Sequence, residues 1–526
     1  MFLLDYVKAG LLNRETLVQK LQQLGKPQED FLFANIEEFK NSQARKEMLK
    51  AQEYYVGKHD IEEKKRYWTD RHGVQREADK LANNKLTHPY FTKLVNQKVN
   101  YVLSKEFTMQ VNEDDSQAVD FRESCKTYFD KAFFRRLRII GKNAIINGIA
   151  WMQVYYDSLG KLSFKRIPSE EVIPFWADCE HTILEGLVRF YTITEYKANA
   201  EKEKITKVEY YTVEGVWYYE VRDGKLGLDL SKVTPDEPIK GHFRSVEPNE
   251  KGEQVTVERV WNKIPFIAFK YNDEEISLLN YVKSLIDDYD SRTSDISDLI
   301  EDVPNSIRVV KGYGGGDKEE FSQNLNTFRT VFVEEGGGVD QLNSEADTKC
   351  TEAHLTRVKD DIYEAGNGVN IQKEALSATS GVALKLRYAD LDADCMAMAN
   401  NFAASIEELC WFIQMDLTAN MSEEEFQDIE FDILFNADGI INETDVIVNC
   451  KNSLGVISNE TIVANHPWTT DLDKELERLE KQKEEELELM QEAMDDGFGT
   501  SNPSRVAQQN STVKKQSEVA KQGAQK

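Results

Sequence analysis

The chain has 526 residues, 30% charged and 40% hydrophobic, with 93 Asp and Glu against 65 Lys and Arg and a formal charge of −28. That length suits three or four structural units at roughly 150 residues each, and the acidic balance disfavours a static nucleic-acid binder or a ligand for anionic membranes. The six cysteines (Cys125, Cys179, Cys350, Cys395, Cys410, Cys450) form no CxxC pair, which points to reduced thiols rather than a disulfide framework or a zinc site.

The opening MFLLDYVKAGLL has no basic region and carries Asp5, so it does not read as a signal peptide. Residues 1–150 are expected to be mostly helical, with an amphipathic run, FTKLVNQKVNYVL, at 91–103. The most apolar stretch, IIGKNAIINGIAWMQVYY, is interrupted by Lys142, Asn143 and Asn147 and is no membrane span. From about 151 to 270 short alternating, aromatic-rich runs separated by DSLG, VEG and RDG predict a β-rich meander, with the aromatics as packing residues rather than base-stacking platforms.

Helical periodicity returns at 276–303, where Leu279, Val282, Ile286, Tyr289, Thr293, Ile296, Ile300 and Val303 recur every three or four residues. This stripe is expected to pack inward. The other faces carry Asp287, Asp288, Asp290, Asp295, Asp298, Glu301 and Asp302 against Lys283 and Arg292 alone, which predicts a helix of roughly 40 Å with an acidic wall. After Pro304, SIRVVKGYGGG reads as strand and turn, DKEEFSQNLNTF as a short helix and RTVFVEEGGGVDQL as a hairpin. GYGGGDK lacks the spacing of a phosphate-cradling loop, and Lys318 is not followed by Ser or Thr.

A helix is expected over about 349–365, with Leu355, Val358, Ile362 and Ala365 on one face, ending at Gly366-Asn367-Gly368. A loop of small residues then runs to Ser380. From Leu384 the series Tyr388, Leu391, Cys395, Met398, Phe402, Ile406, Leu409 and Ile413 predicts one helix of about 35 residues, about 50 Å long. Its Asp390, Asp392 and Asp394 do not form an EF-hand, because Cys395 stands at the turn-glycine position and Asn401 at that of the bidentate glutamate. They read as acids on a helix surface. Beyond 420 the pattern is again helical, and residues 497–526, with five Lys and Arg against Glu518 for a net +4, are expected to be disordered.

Neither HExxH nor GxSxG occurs and the seven histidines are scattered, so no catalytic residue, metal ligand or cofactor-binding residue is assigned and no enzyme activity is expected. His354 on a helix reads as structural. A two-metal nuclease remains a minor alternative because acids are abundant.

Six stretches stand in order along the chain: YYVGKHDI (54–61), NNKLTHPYFTKLVNQKVNYVLSKEF (83–107), VKSLIDDYDSRTSDISDLIED (282–302), VVKGY (309–313), SGVALKLRYADLDADC (380–395) and LGVISNETIVANHPW (454–468). Together they resemble the portal proteins of tailed bacteriophages of the long non-contractile-tail type. The resemblance implies an α+β, mainly α-helical subunit with wing, stem, clip and crown regions, assembled into a ring, usually of twelve copies. Such a ring sits at one capsid vertex of the virion, is assembled in the host bacterial cytoplasm and has no membrane partner. Double-stranded DNA passes through it. The terminase large subunit, the major capsid and scaffolding proteins and a head-completion or adaptor protein dock on it.

By the same resemblance residues 1–275 are the wing, 276–303 a stem helix, 304–348 the clip, 349–365 a second stem helix and 366–380 a tunnel loop. Residues 381–435 are the long helix and return to the wing, and 436–496 the crown. The implied DNA-facing loop residues are Gly366, Asn367, Gly368, Asn370, Gln372, Lys373, Ser377, Thr379 and Ser380, with Gly366, Gly368 and Gly381 giving backbone freedom. The implied channel acids are Asp287, Asp290, Asp298 and Glu301, and the implied clip contacts Tyr313, Lys318, Glu334 and Glu335. A non-channel scaffold protein of a virion is the alternative from another class.

Overall fold

The computed structural model describes residues 28–484 apart from 70–71, 78–80, 197–201, 223, 249–252, 303–306, 312–335, 337, 343–347, 371–380, 421–428, 436–442, 465, 467 and 470–474. It divides into two units, Met1–Gly439 and Ile440–Lys526.

In the first unit, helices α1 (Gln28–Asn41) and α2 (Gln43–Tyr55) are followed by the small hairpin β1 (Tyr67–Thr69) and β2 (Gln75–Glu77). Helix α3 (Tyr90–Leu103), strand β3 (Thr108–Val111) and helices α4 (Ser116–Cys125) and α5 (Lys131–Asn147) come next. Ser42, Asp115 and Asp130 start α2, α4 and α5 by accepting backbone N–H groups that the first turn leaves unpaired. Gly148 ends α5 at φ +86, and a Cβ there would lie 2.0 Å from the Glu275 carbonyl oxygen. Only glycine satisfies both demands.

The β-rich region runs as β4 (Ile149–Tyr156), β5 (Leu162–Ile167), β6 (Val172–Trp176), β7 (Leu184–Tyr196), β8 (Lys202–Thr212), β9 (Gly215–Arg222), β10 (Lys225–Leu228), β11 (Ile239–Lys240), β12 (Phe243–Pro248), β13 (Gln254–Arg259) and β14 (Phe266–Lys270). Within it, β6 to β10 form the predicted meander. Strands pair in the order β10-β9-β8-β7-β6, with β11 on β9, while β14-β4-β5 form a second sheet and β12-β13 a hairpin. Trp151, Tyr211, Tyr219 and Trp261 are buried, so these aromatics do pack the interior. One face of the larger sheet closes on Leu32 and Ile36 of α1.

Helix α6 (Leu278–Asp302), strands β15 (Ile307–Lys311) and β16 (Gly338–Leu342), helix α7 (Thr348–Ala365), helix α8 (Gly381–Asn420) and strand β17 (Phe431–Leu434) complete the unit. β15 and β16 pair antiparallel, Ile307 opposite Leu342, and β17 pairs with β3. One core joins Leu94 and Val95 of α3, Ile140 of α5, Phe269 of β14, Val282 and Ile286 of α6, Ile362 of α7 and Leu391, Met398, Phe402 and Ile406 of α8. The 40-residue α8 is longer than the periodicity suggested, and its predicted stripe is buried at Leu391, Cys395, Met398, Phe402, Ile406, Leu409 and Ile413. The second unit contains α9 (Glu443–Asn452), α10 (Asn459–Ala464) and a helix over 475–484. Among the described residues no helix is long and apolar enough to cross a membrane, and all six cysteines are free. The predicted tail (497–526) and the short helix expected at DKEEFSQNLNTF lie outside the described residues.

Candidate functional site

The acidic wall of α6 is not an open wall. Backbone N–H groups of Asn84, Leu86 and His88 donate to Asp298 Oδ1 (2.5 Å), Ser294 Oγ (3.0 Å) and Asp290 Oδ1 (3.0 Å) in turn. Two residues of extended chain advance about 6.6 Å and four residues of helix about 6 Å. The segment therefore runs antiparallel to the helix with every second N–H meeting every fourth side chain.

Asp290 is the most heavily used acceptor of that ladder. His59 Nδ1 lies 2.5 Å from its Oδ2 and His88 Nδ1 2.8 Å from its Oδ1, and Tyr54 stacks on His59 at 4.5 Å. The side chains of His59 and Asp290 are fully buried. Asp298 is buried too, with Arg66 Nη1 3.8 Å away. Farther along the helix the Tyr54 hydroxyl donates to Asp287, whose other oxygen takes Lys283 Nζ at 2.6 Å. Burial, with the Asp287 carboxylate beside it, pushes the Tyr54 hydroxyl well up. Lys64 meets Asp295 at 2.6 Å, and Asp288 binds His354 of α7 at 2.8 Å.

Two channel-acid expectations are corrected by this geometry. Asp290 and Asp298 are buried rather than presented outward, and His59, Asn84 and His88 use their oxygens. Asp287 is half-buried and paired, while Glu301 is exposed and accepts from Asn84 Nδ2 at 2.9 Å. The stripe turns as well: Leu279, Val282 and Ile286 are buried, but Ile300 is 65% exposed, because over the last turns the covered positions are Asp290, Ser294 and Asp298.

The end of α7 forms the second assembly. Asn367 takes φ +46, and the N–H groups of Asn367 and Gly368 return to the carbonyls of Glu364 (3.1 Å) and Tyr363 (2.8 Å). This is a Schellman stop with asparagine in the left-handed position. Gly366 and Gly368 serve contact rather than freedom: a Cβ on them would lie 2.7 Å and 2.2 Å from the Leu94 methyls. Gln97 donates to the Val369 carbonyl (3.2 Å) and accepts its N–H (3.0 Å). Lys98, completely buried, donates to the Asn367 carbonyl (3.2 Å) and to Asp394 Oδ2 (2.6 Å). The Tyr271 hydroxyl also donates to Asp394, at 3.0 Å, and Tyr101 to Asp392 at 2.8 Å.

A family model described as phage portal protein, SPP1 Gp6-like, matches residues 36–489. The chain belongs to this portal family. It is 28% identical over 489 residues to the portal protein of Bacillus phage SPP1, covering 92% of each chain. It is 25% identical over 466 residues to the portal protein of Clostridium phage phiCD119, covering 83% of this chain and 92% of the relative. Both assemblies just described fall inside the portal match.

Of the loop residues implied by the portal resemblance, Gly366, Asn367 and Gly368 are placed together at the α7 terminus beside α3, and Asn370 follows Val369, which pairs with Gln97. Gln372, Lys373, Ser377, Thr379 and Ser380 lie outside the described residues, as do Tyr313, Lys318, Glu334 and Glu335. Sequence reading missed Leu94, Gln97, Lys98 and the role of Asp394. One signal was available: Lys98 interrupts the apolar stripe Leu94, Val95, Val99, Val102 of α3, and a lysine there needs a buried acceptor.

Proposed function

We propose that the chain acts as one subunit of a closed ring, usually of twelve copies, that forms the DNA channel at the capsid vertex. Double-stranded DNA driven by the terminase large subunit passes inward through it and later leaves by the same path. The observation that carries this is the portal-family match over residues 36–489, supported by two portal relatives each covered over 92% of its length. Helices α6 and α7 are read as the stem, 304–348 as the clip that meets terminase and then a head-completion or adaptor protein, and 436–496 as the crown. The major capsid and scaffolding proteins are read as further partners of the ring. Residues 366–380 are read as the segment facing DNA, and Asp287, which is half-buried, and Glu301, which is exposed, are kept as the channel acids.

Electron-microscope class averages of the purified protein test this reading. Rings with a central hole wide enough for a duplex of about 20 Å are expected. Particles with a filled centre, or no rings, would favour a non-channel scaffold.

A further inference from the structure

The segment between α7 and α8 has two flanks, and both are tied to one ammonium group. Lys98 Nζ reaches the Asn367 carbonyl on the α7 side at 3.2 Å and Asp394 Oδ2 on the α8 side at 2.6 Å. Asp394 lies thirteen residues into α8, about 20 Å along its axis, so these flanks are not neighbours by sequence. Asp394 Oδ1 also lies 3.4 Å from Asn367 Nδ2, which closes a triangle of Lys98, Asn367 and Asp394. Leu94, Gln97 and Lys98 stand at i, i+3 and i+4, one face of α3, and together they hold residues 366–369.

A buried lysine is costly unless a counter-charge and hydrogen bonds compensate it, and two well-packed apolar side chains often serve stability equally well. Stability alone therefore does not explain the pair. We propose that Lys98 and Asp394 are positioning residues: a charged cross-brace that fixes the α7 terminus to the long helix α8, so that the flanks of the 366–380 segment keep one spacing while DNA moves. This rests on the reading of that segment as DNA-facing.

Two double variants separate the brace from mere packing. Lys98→Met with Asp394→Leu removes both charges, and Lys98→Met with Asp394→Asn does so while keeping an acceptor for Tyr271. Each is compared with wild type and Lys98→Arg by light scattering, by hydrogen exchange of DNA-free rings over residues 362–370, and by terminase-driven packaging. The expected result is wild-type ring mass, amide exchange at 367–369 at least tenfold faster, packaging reduced at least tenfold, and substantial retention of both by Lys98→Arg. Unchanged exchange in whichever double variant assembles would overturn the brace. Faster exchange with normal packaging would overturn its positioning role, as would failure of both double variants to assemble, which would make the pair a folding requirement. Wild-type rings without a duplex-wide hole would instead overturn the channel reading beneath it.

Discussion

Gly368 shows how one residue can be chosen for a reason its surroundings hide. In the sequence, Gly366-Asn367-Gly368 reads as a freely turning loop, yet the left-handed residue is Asn367, while the glycines let the chain lie against Leu94. Gly368→Ala should therefore destabilise the protein by about 1–3 kcal/mol through overpacking. Adding Leu94→Ala should cost clearly less than the sum of the two single changes, because the new methyl enters space the leucine vacates. Urea unfolding of the four proteins checks this, and strict additivity would refute close approach as the glycine's purpose. His242 makes a second case. Its Nε2 donates to the Thr212 carbonyl at 2.8 Å and its Nδ1 accepts the Trp261 N–H at 3.0 Å, so the ring is held neutral, and burial pulls its pKa down from 6.5 to about 4. The unfolded chain then binds the extra proton first as pH falls, so this contribution is intact above pH 6.5 and is lost progressively towards pH 4. About 2 kcal/mol should disappear between pH 7 and pH 5. His242→Gln should flatten that part of the stability–pH curve, and an unchanged slope would show that other groups produce it.

Elements whose periodicity agrees with their burial were legible: α3 lies at 90–103 where 91–103 was read, α7 at 348–365 for 349–365, and the β-rich region of β4 to β14 falls where turn signals alternate with aromatic runs. Helix α6 was legible as a helix but not as a surface. Its acids suggested a bare wall because their partners lie about two hundred positions earlier in the chain, in a stretch whose own sequence carries no regular period. No local pattern encodes that alternate N–H groups of an irregular segment will match a four-residue helical step. The match makes Leu86 a clean probe, since its N–H meets Ser294 Oγ while its side chain is exposed. Leu86→Pro removes the donor and should cost about 1–3 kcal/mol. Leu86→Ala keeps the donor and should cost little. Limited proteolysis between 84 and 88 should accelerate in the proline variant only, and equal protection of both variants would show that the ladder does not hold this segment. Lys98 and Asp394 escaped notice for a related reason, being separated by 296 positions.

Across the whole molecule, the charge of −28 has two origins, and they predict different things. Part of it is consumed internally, as at Asp290 and Asp298. The exposed remainder multiplies with every copy in a ring, whose mass by light scattering should be near twelve times the 60.4 kDa of one chain. A conduit benefits from that excess: phosphates held by basic side chains release counterions and bind, whereas an acidic surface lets a duplex slide. Asp298→Lys and Glu301→Lys should then fail in opposite ways. The first places a cation in a buried site that accepts the Asn84 N–H, so it should detach the 84–88 segment from α6 or prevent assembly by an effect of about 3–5 kcal/mol. The second changes an exposed group, so rings should form normally while DNA translocation slows. Because exposed charges are screened within about 8–10 Å at ordinary salt, that slowing should shrink as ionic strength rises. A Glu301→Lys ring that packages at the wild-type rate in low salt would remove Glu301 from the channel wall. Slowing that persists unchanged in high salt would mean the new lysine acts by distorting the end of α6 rather than by holding phosphate.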